Sequence, residues 1–147
     1  MSSTRRAVLL AVTYLVLTFP IAAIWHLGLF PQSMAGPAFR GQPLFAMGLL
    51  STVVQAIVVA YLYPRLARGG SAVRDGLRFA LVMGSFIASY GVLAEVGKFA
   101  VGPTTSWVLH EGAFFVVQWI VIGIALGLVY DWTGRRAVQP QAAGRMR

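Results

Sequence analysis

Four long runs of apolar residues divide the chain, at 7–29, 44–63, 79–99 and 107–130. Each is long enough to cross a hydrocarbon core of about 30 Å, which takes roughly 20 helical residues. The polar positions are bunched between the runs: a Pro/Gly-rich connection at 30–43, a basic one at 64–78, and the short "AVGPTTS" at 100–106. Connections of this length join hairpins, so the pattern predicts an all-α, integral membrane four-helix bundle with antiparallel neighbours, a single domain over 1–133. Residues 134–147 lack an apolar period and read as a basic, disordered cytoplasmic tail drawn to anionic lipid.

Composition places the same chain in lipid. Of 147 residues, 58% are hydrophobic and 11% charged, and the mean hydropathy is +0.74, so the lipid bilayer is the first partner expected. The chain contains no cysteine, which excludes disulfides, thiolate metal sites and thiol redox chemistry. The net charge of +8 is carried by arginines placed between apolar runs, a distribution that sets topology rather than one that binds nucleic acid. Ten of the 12 Lys and Arg residues fall on one side, and Arg40 and Lys98 on the other. The positive-inside rule then predicts both termini in the cytoplasm of a bacterium, with the protein multi-pass in the inner membrane. The opening "STRRAVLL" looks like a twin-arginine export signal, but its apolar run is too long and "FPIAAIW" lacks the small residue before a cleavage point, so it reads as an uncleaved first span.

A weak internal echo bears on architecture. "STVVQAIVVAYLY" in the second span aligns with "FFVVQWIVIGIAL" in the fourth, putting Gln55 and Gln118 at equivalent places. Each lies about 16 Å into its helix at 1.5 Å per residue, near the bilayer midplane. The echo raises the arrangement of two tandem helical hairpins, 2+2.

The titratable groups within the spans are few, and all fall toward the outer side: His26 at the end of the first helix, Glu95 and Lys98 at the end of the third, His110 and Glu111 at the start of the fourth. An ionisable residue inside a membrane is a functional hypothesis by default. Glu95 and Lys98, three residues apart, are expected to pair, above a stripe containing Gly84 and Gly91 that permits close helix packing. Gly123 and Gly127 form a GxxxG on the fourth helix that suits another helix or another copy, which makes a homodimer or larger membrane complex a candidate assembly.

Several chemistries fit these residues. "HEGAF" is not the zinc-protease HExxH, since Phe114 stands where the second histidine is needed. His26 and His110 with Glu111 or Glu95 have the donor types for Zn²⁺ or Cu²⁺. The same two histidines are alternatively axial ligands of a haem b, although no cofactor is called for by the sequence as such. A transport reading takes Glu95 as a coupling carboxylate, Lys98 as its partner, and the glutamines with the kink at Pro20 as the path. The plainest reading is a non-enzymatic subunit or scaffold in which ion pairs lock the bundle, with Glu95 held by Lys98 and Glu111 held by His26, His110 or Arg40.

Two stretches, "AAIWHLGLFPQSM" and "WVLHEGAFFVVQWIVIGIALGLVY", resemble small bacterial four-helix membrane proteins grouped as domains of unknown function. These end the first helix in Trp-x-x-x-Leu-Phe and close on a Gly-rich helix. The resemblance implies the four-span topology and no activity. This chain departs from it with Trp25-His26 where an aromatic pair is expected.

Overall fold

The computed structural model describes residues 2–31, 44–99 and 103–143, with side chains described through 134. Arg40 and most of the 30–43 connection lie outside the described residues, as do residues 100–102 and the side chains of the basic tail. Among the described residues the protein is all-helical. α1 (Ser3–Ala23) widens into a π-helical turn, π1 (Ile24–Leu29); α2 is Phe45–Leu66; α3 (Ala72–Ala88) widens into π2 (Ser89–Ala94); α4 is Thr104–Ala143. All four are long and apolar enough to cross a membrane. Much of their apolar surface faces outward, as with Leu81, Phe86 and Leu109, each about 70% exposed, which suits a lipid surround rather than water.

Local chemistry explains the boundaries. The basic connection at 64–78 shrinks to 67–71, because Ser71 caps α3 by accepting the Arg74 N–H at 3.2 Å. Asp75, in the first turn, accepts the Gly70 N–H at 3.1 Å with the favourable sign for a helix start. Arg74 and Arg78 are thus on the first turns of a helix rather than in a loop. Gly69 supplies the left-handed residue of the turn, φ 74°. At its far end α4 continues to Ala143, beyond the apolar run that ends at residue 130 and into the segment read from sequence as a disordered tail.

Neighbour relations order the helices α2, α1, α4, α3: α1 packs on both α2 and α4, α4 packs on α3, and α2 and α3 barely touch although consecutive. Leu10 and Tyr14 of α1, Ala56, Val59 and Tyr63 of α2, Phe79 of α3, and Trp119, Ile122 and Leu126 of α4 form the core. Both hairpins of the 2+2 arrangement pack, but the cross contacts between them are unequal, since α1 packs along α4 while α2 meets α3 only marginally. The Arg6 guanidinium lies 4.9 Å from the Tyr130 ring centre, and Tyr63 packs on Phe79 and Tyr130 at 4.9 and 5.5 Å. The start of α1, the α2–α3 turn and the end of the α4 span therefore share one end, the basic end.

The GxxxG of α4 is used inside the chain. A Cβ on Gly123 would collide with the Gly76 carbonyl, one on Gly76 with the Gly123 carbonyl, and one on Gly127 with the Ala72 carbonyl. Of the two partners expected for this motif, another helix or another copy, the one that occupies it is the chain's own α3. Gly84 of α3 and Gly91 of π2 take the same role, facing Trp119 and Phe115.

Candidate functional site

Opposite the basic end, π1 meets the start of α4. Pro20 removes a backbone donor from α1, and within one turn the helix widens, closing with Phe30 N–H on the Trp25 carbonyl at 2.9 Å. Single π turns are frequent at functional sites, and this one carries Trp25 and His26 toward α4. The first turns of α4 bring His110 and Glu111.

These side chains converge. The His26 Nδ1 lies 3.7 Å and the His110 Nε2 4.0 Å from the same Glu111 oxygen, Oε1. One ligand atom from each of the three residues falls within 4.8 Å of the others. Glu111 is buried, and both its Oε1 and the His26 Nδ1 lack a hydrogen-bond partner. A buried polar atom left unpaired costs about 1–3 kcal/mol, so two facing each other mark a place that a proton or cation would relieve. The Trp25 indole N–H donates to His110 Nε2 at 3.0 Å, which makes that nitrogen the acceptor and puts the imidazole proton on Nδ1. Aromatic rings close the surroundings: Phe30 lies edge-on to His110 at 4.5 Å, and Phe114 sits 4.5 Å from His26.

The missing second histidine of HExxH acquires a spatial answer. Phe114, in its position on α4, packs against His26, so the second imidazole beside His110-Glu111 is supplied by another helix. Haem b does not fit between the histidines. Their rings are 6.5 Å apart, but the Glu111 oxygen approaches the ligand atoms of both, and Trp25, Phe30 and Phe114 fill the flanks where a macrocycle would lie.

Neither Glu95 nor Lys98 adds a ligand atom to this cluster, although the Glu95 carboxylate lies within electrostatic reach of Glu111. Glu95 and Lys98 form no salt bridge with each other among the described residues, although the Lys98 charge still acts on Glu95 and the helical turn persists there, with the Lys98 and Phe99 N–H groups donating to the Glu95 carbonyl. Lys98 instead donates to the Tyr90 hydroxyl at 3.2 Å and covers its ring at 4.5 Å.

A second polar place lies mid-span. Because α2 and α3 separate away from the basic end, a groove of about 760 Å³ opens between them, floored by α1 and α4. Gln55 and Gln118, paired by the sequence echo, both line it, and Glu95 lies on the same groove. The Tyr14 hydroxyl donates to Gln55 Oε1 at 2.6 Å, and Gln55 Nε2 donates to Ser51 Oγ at 3.2 Å. Gln118 is only 6% exposed and makes no hydrogen bond with the described residues.

Tyr14 and Ser51 belong to these places but carry no distinguishing signal in sequence. Pro20, one turn before the widened helix, was the local cue to Trp25. Compared with family models, curated proteins and solved structures, the chain matches none.

Proposed function

We propose that the protein is a small, non-enzymatic metal-binding unit of the bacterial inner membrane, with both termini cytoplasmic and a single divalent transition-metal site at its outer end. The observation that carries this reading is the pair of unpaired buried ligand atoms, His26 Nδ1 and Glu111 Oε1, facing each other across 3.7 Å with His110 Nε2 alongside. Two imidazoles and one carboxylate are the donor set of open Zn²⁺ sites and of related borderline metals. With bonds of about 2.0–2.1 Å, tetrahedral donors stand roughly 3.3 Å apart, so the cluster needs a contraction of about half an ångström or more. The Trp25 indole must also release His110 Nε2, because it occupies the lone pair that a metal would take.

The test is metal content and affinity of the detergent-purified full chain. One equivalent of Zn²⁺ is expected, and Co²⁺ should give the visible bands of a tetrahedral or five-coordinate site while changing Trp25 fluorescence. Glu111→Gln, His26→Ala and His110→Ala should each weaken binding by more than about 100-fold, beyond what loss of a supporting contact costs. Equal metal uptake by wild type and the triple variant would overturn the reading and leave the cluster as a His–Glu lock between π1 and α4.

A further inference from the structure

The groove between α2 and α3 holds a polar group that the metal reading does not use. Gln118 sits near mid-length of the α4 span, more than nine-tenths buried, lining a cavity open to lipid, with its amide unpaired among the described residues. A primary amide brings two donor hydrogens and one acceptor oxygen. Across the groove, Gln55 has its oxygen engaged by Tyr14 and one N–H engaged by Ser51, which leaves its second N–H. Both glutamines therefore face the cavity with donors to spare. At this depth no water supplies acceptors, and an unsatisfied amide in hydrocarbon is costly.

The walls restrict the partner further. Phe86, Phe115 and Trp119 line the cavity among aliphatic side chains, surfaces suited to the faces of a planar ring. The volume lies in the usual range for small-molecule sites of about 300–1,000 Å³. An acyl chain alone would fill the apolar walls but leave the amides unanswered. A helix would present backbone groups already paired within itself. What answers both is a planar, membrane-dissolved ring whose carbonyls accept hydrogen bonds and whose tail leaves through the gap between α2 and α3.

We propose that this groove is a lateral binding site for a quinone-type molecule, held by hydrogen bonds from Gln118 and Gln55 to its carbonyl oxygens and by the aromatic walls. The site is separate from the His26–His110–Glu111 cluster, and its occupancy does not require a metal.

The experiment uses the full chain in lipid nanodiscs, with a benzoquinone bearing a decyl tail as probe and quenching of tryptophan fluorescence as readout. Trp119 lies on the groove, so bound probe quenches at contact. Saturable quenching is expected above the linear partition background. Gln118→Leu should weaken it about tenfold, the worth of one well-placed hydrogen bond. Val58→Trp, which fills the groove from the lipid side of α2, should abolish saturation, and this variant carries the test if Gln118→Leu fails to fold. Leu109→Ala, at an exposed position off the groove, should leave the affinity unchanged. Linear quenching identical in wild type and both groove variants would overturn the proposal. So would efficient disulfide dimerisation of Val58→Cys, the one cysteine in an otherwise cysteine-free chain, at low protein-to-lipid ratio, since the groove would then be closed by a second copy.

Discussion

The α3–α4 interface and the α2–α3 gap are made by helices of similar apolarity, yet one is packed backbone to backbone and the other stands open. The difference lies in where small residues fall. In α3, its continuation π2 and α4, Gly76, Gly84, Gly91, Gly123 and Gly127 all face the partner helix, and three of them meet backbone atoms. In α2, Gly48 faces nothing within 4 Å, and the gap is lined from this helix by Ser51, Val54, Gln55, Val58 and Val59. Lipid tails are as apolar as leucine, so greasy surface gives helices no reason to associate. Close association takes small residues in register, and without them a cleft to lipid is left.

The largest expected effect breaks the packed side. Gly123→Leu places a branched side chain where even a Cβ meets the Gly76 carbonyl and Ala80. Overpacking of this kind with no room to relax should destabilise by about 3 kcal/mol or more, seen as loss of the thermal unfolding transition in detergent. Gly48→Leu, the same change on the open helix, should alter stability by less than about 0.5 kcal/mol. Equal losses from the two would show that helix propensity, not the interface, governs the response.

The next effect concerns the hinge that joins the two regions. Since α2 and α3 scarcely pack, their relation depends on the turn at 67–71 and on Tyr63, which is wedged against Phe79 and Tyr130. Asp75 is buried, accepts the Gly70 N–H and stands 3.7 Å from Arg78. Asp75→Ala leaves the Gly70 N–H without its acceptor and should cost about 1–3 kcal/mol. A spin label on Val58→Cys paired with one on Phe86→Cys should report a broader distance distribution across the groove. A distribution as narrow as wild type would move control of the gap to Tyr63.

How much of this was legible beforehand follows from the range of each signal. The four spans were readable because hydropathy is local and the lipid solvent makes nearly every spanning residue apolar. The start of α3 was misplaced because Arg74, Asp75 and Arg78 read as loop by charge, whereas a serine cap and a first-turn carboxylate make them helical. His110, Glu111 and His26 were identifiable as titratable residues at one depth, but their meeting depends on the π turn that follows Pro20. Glu95 and Lys98 stay within electrostatic reach, but the ammonium settles on Tyr90, eight residues back, a partner that i, i+3 spacing does not announce. The gap between α2 and α3 is an absence of contact, which no residue type announces, and the glutamine echo was its one sequence trace.

The groove side yields a prediction of opposite sign. Gln118→Leu removes an unpaired amide that faces the groove and substitutes apolar volume. In the absence of ligand it should raise stability by about 1 kcal/mol or slightly more, measured as an increase in Tm. A side chain whose removal stabilises the empty protein is one retained for something other than packing. A decrease in Tm would mean that the amide is satisfied, and the contrast between packed and open regions would narrow to geometry alone.

The smallest effect tests whether the metal cluster belongs with the packed region or the open one. In the structure its apolar flanks are closed, as at the α3–α4 interface, but its ligand atoms are unpaired, as in the groove. Trp25 decides between these, because its indole N–H ties up His110 Nε2. Trp25→Phe keeps the aromatic contacts to Phe30 and Phe114 while freeing His110 Nε2. The hydrogen bond it deletes has a net worth of about 0.5–1.5 kcal/mol. If a metal must displace it, Co²⁺ should bind about two- to tenfold more tightly to the variant. Weaker binding would instead assign the indole to orienting His110 for its ligand, making the cluster a preorganised site rather than one latched shut by its own tryptophan.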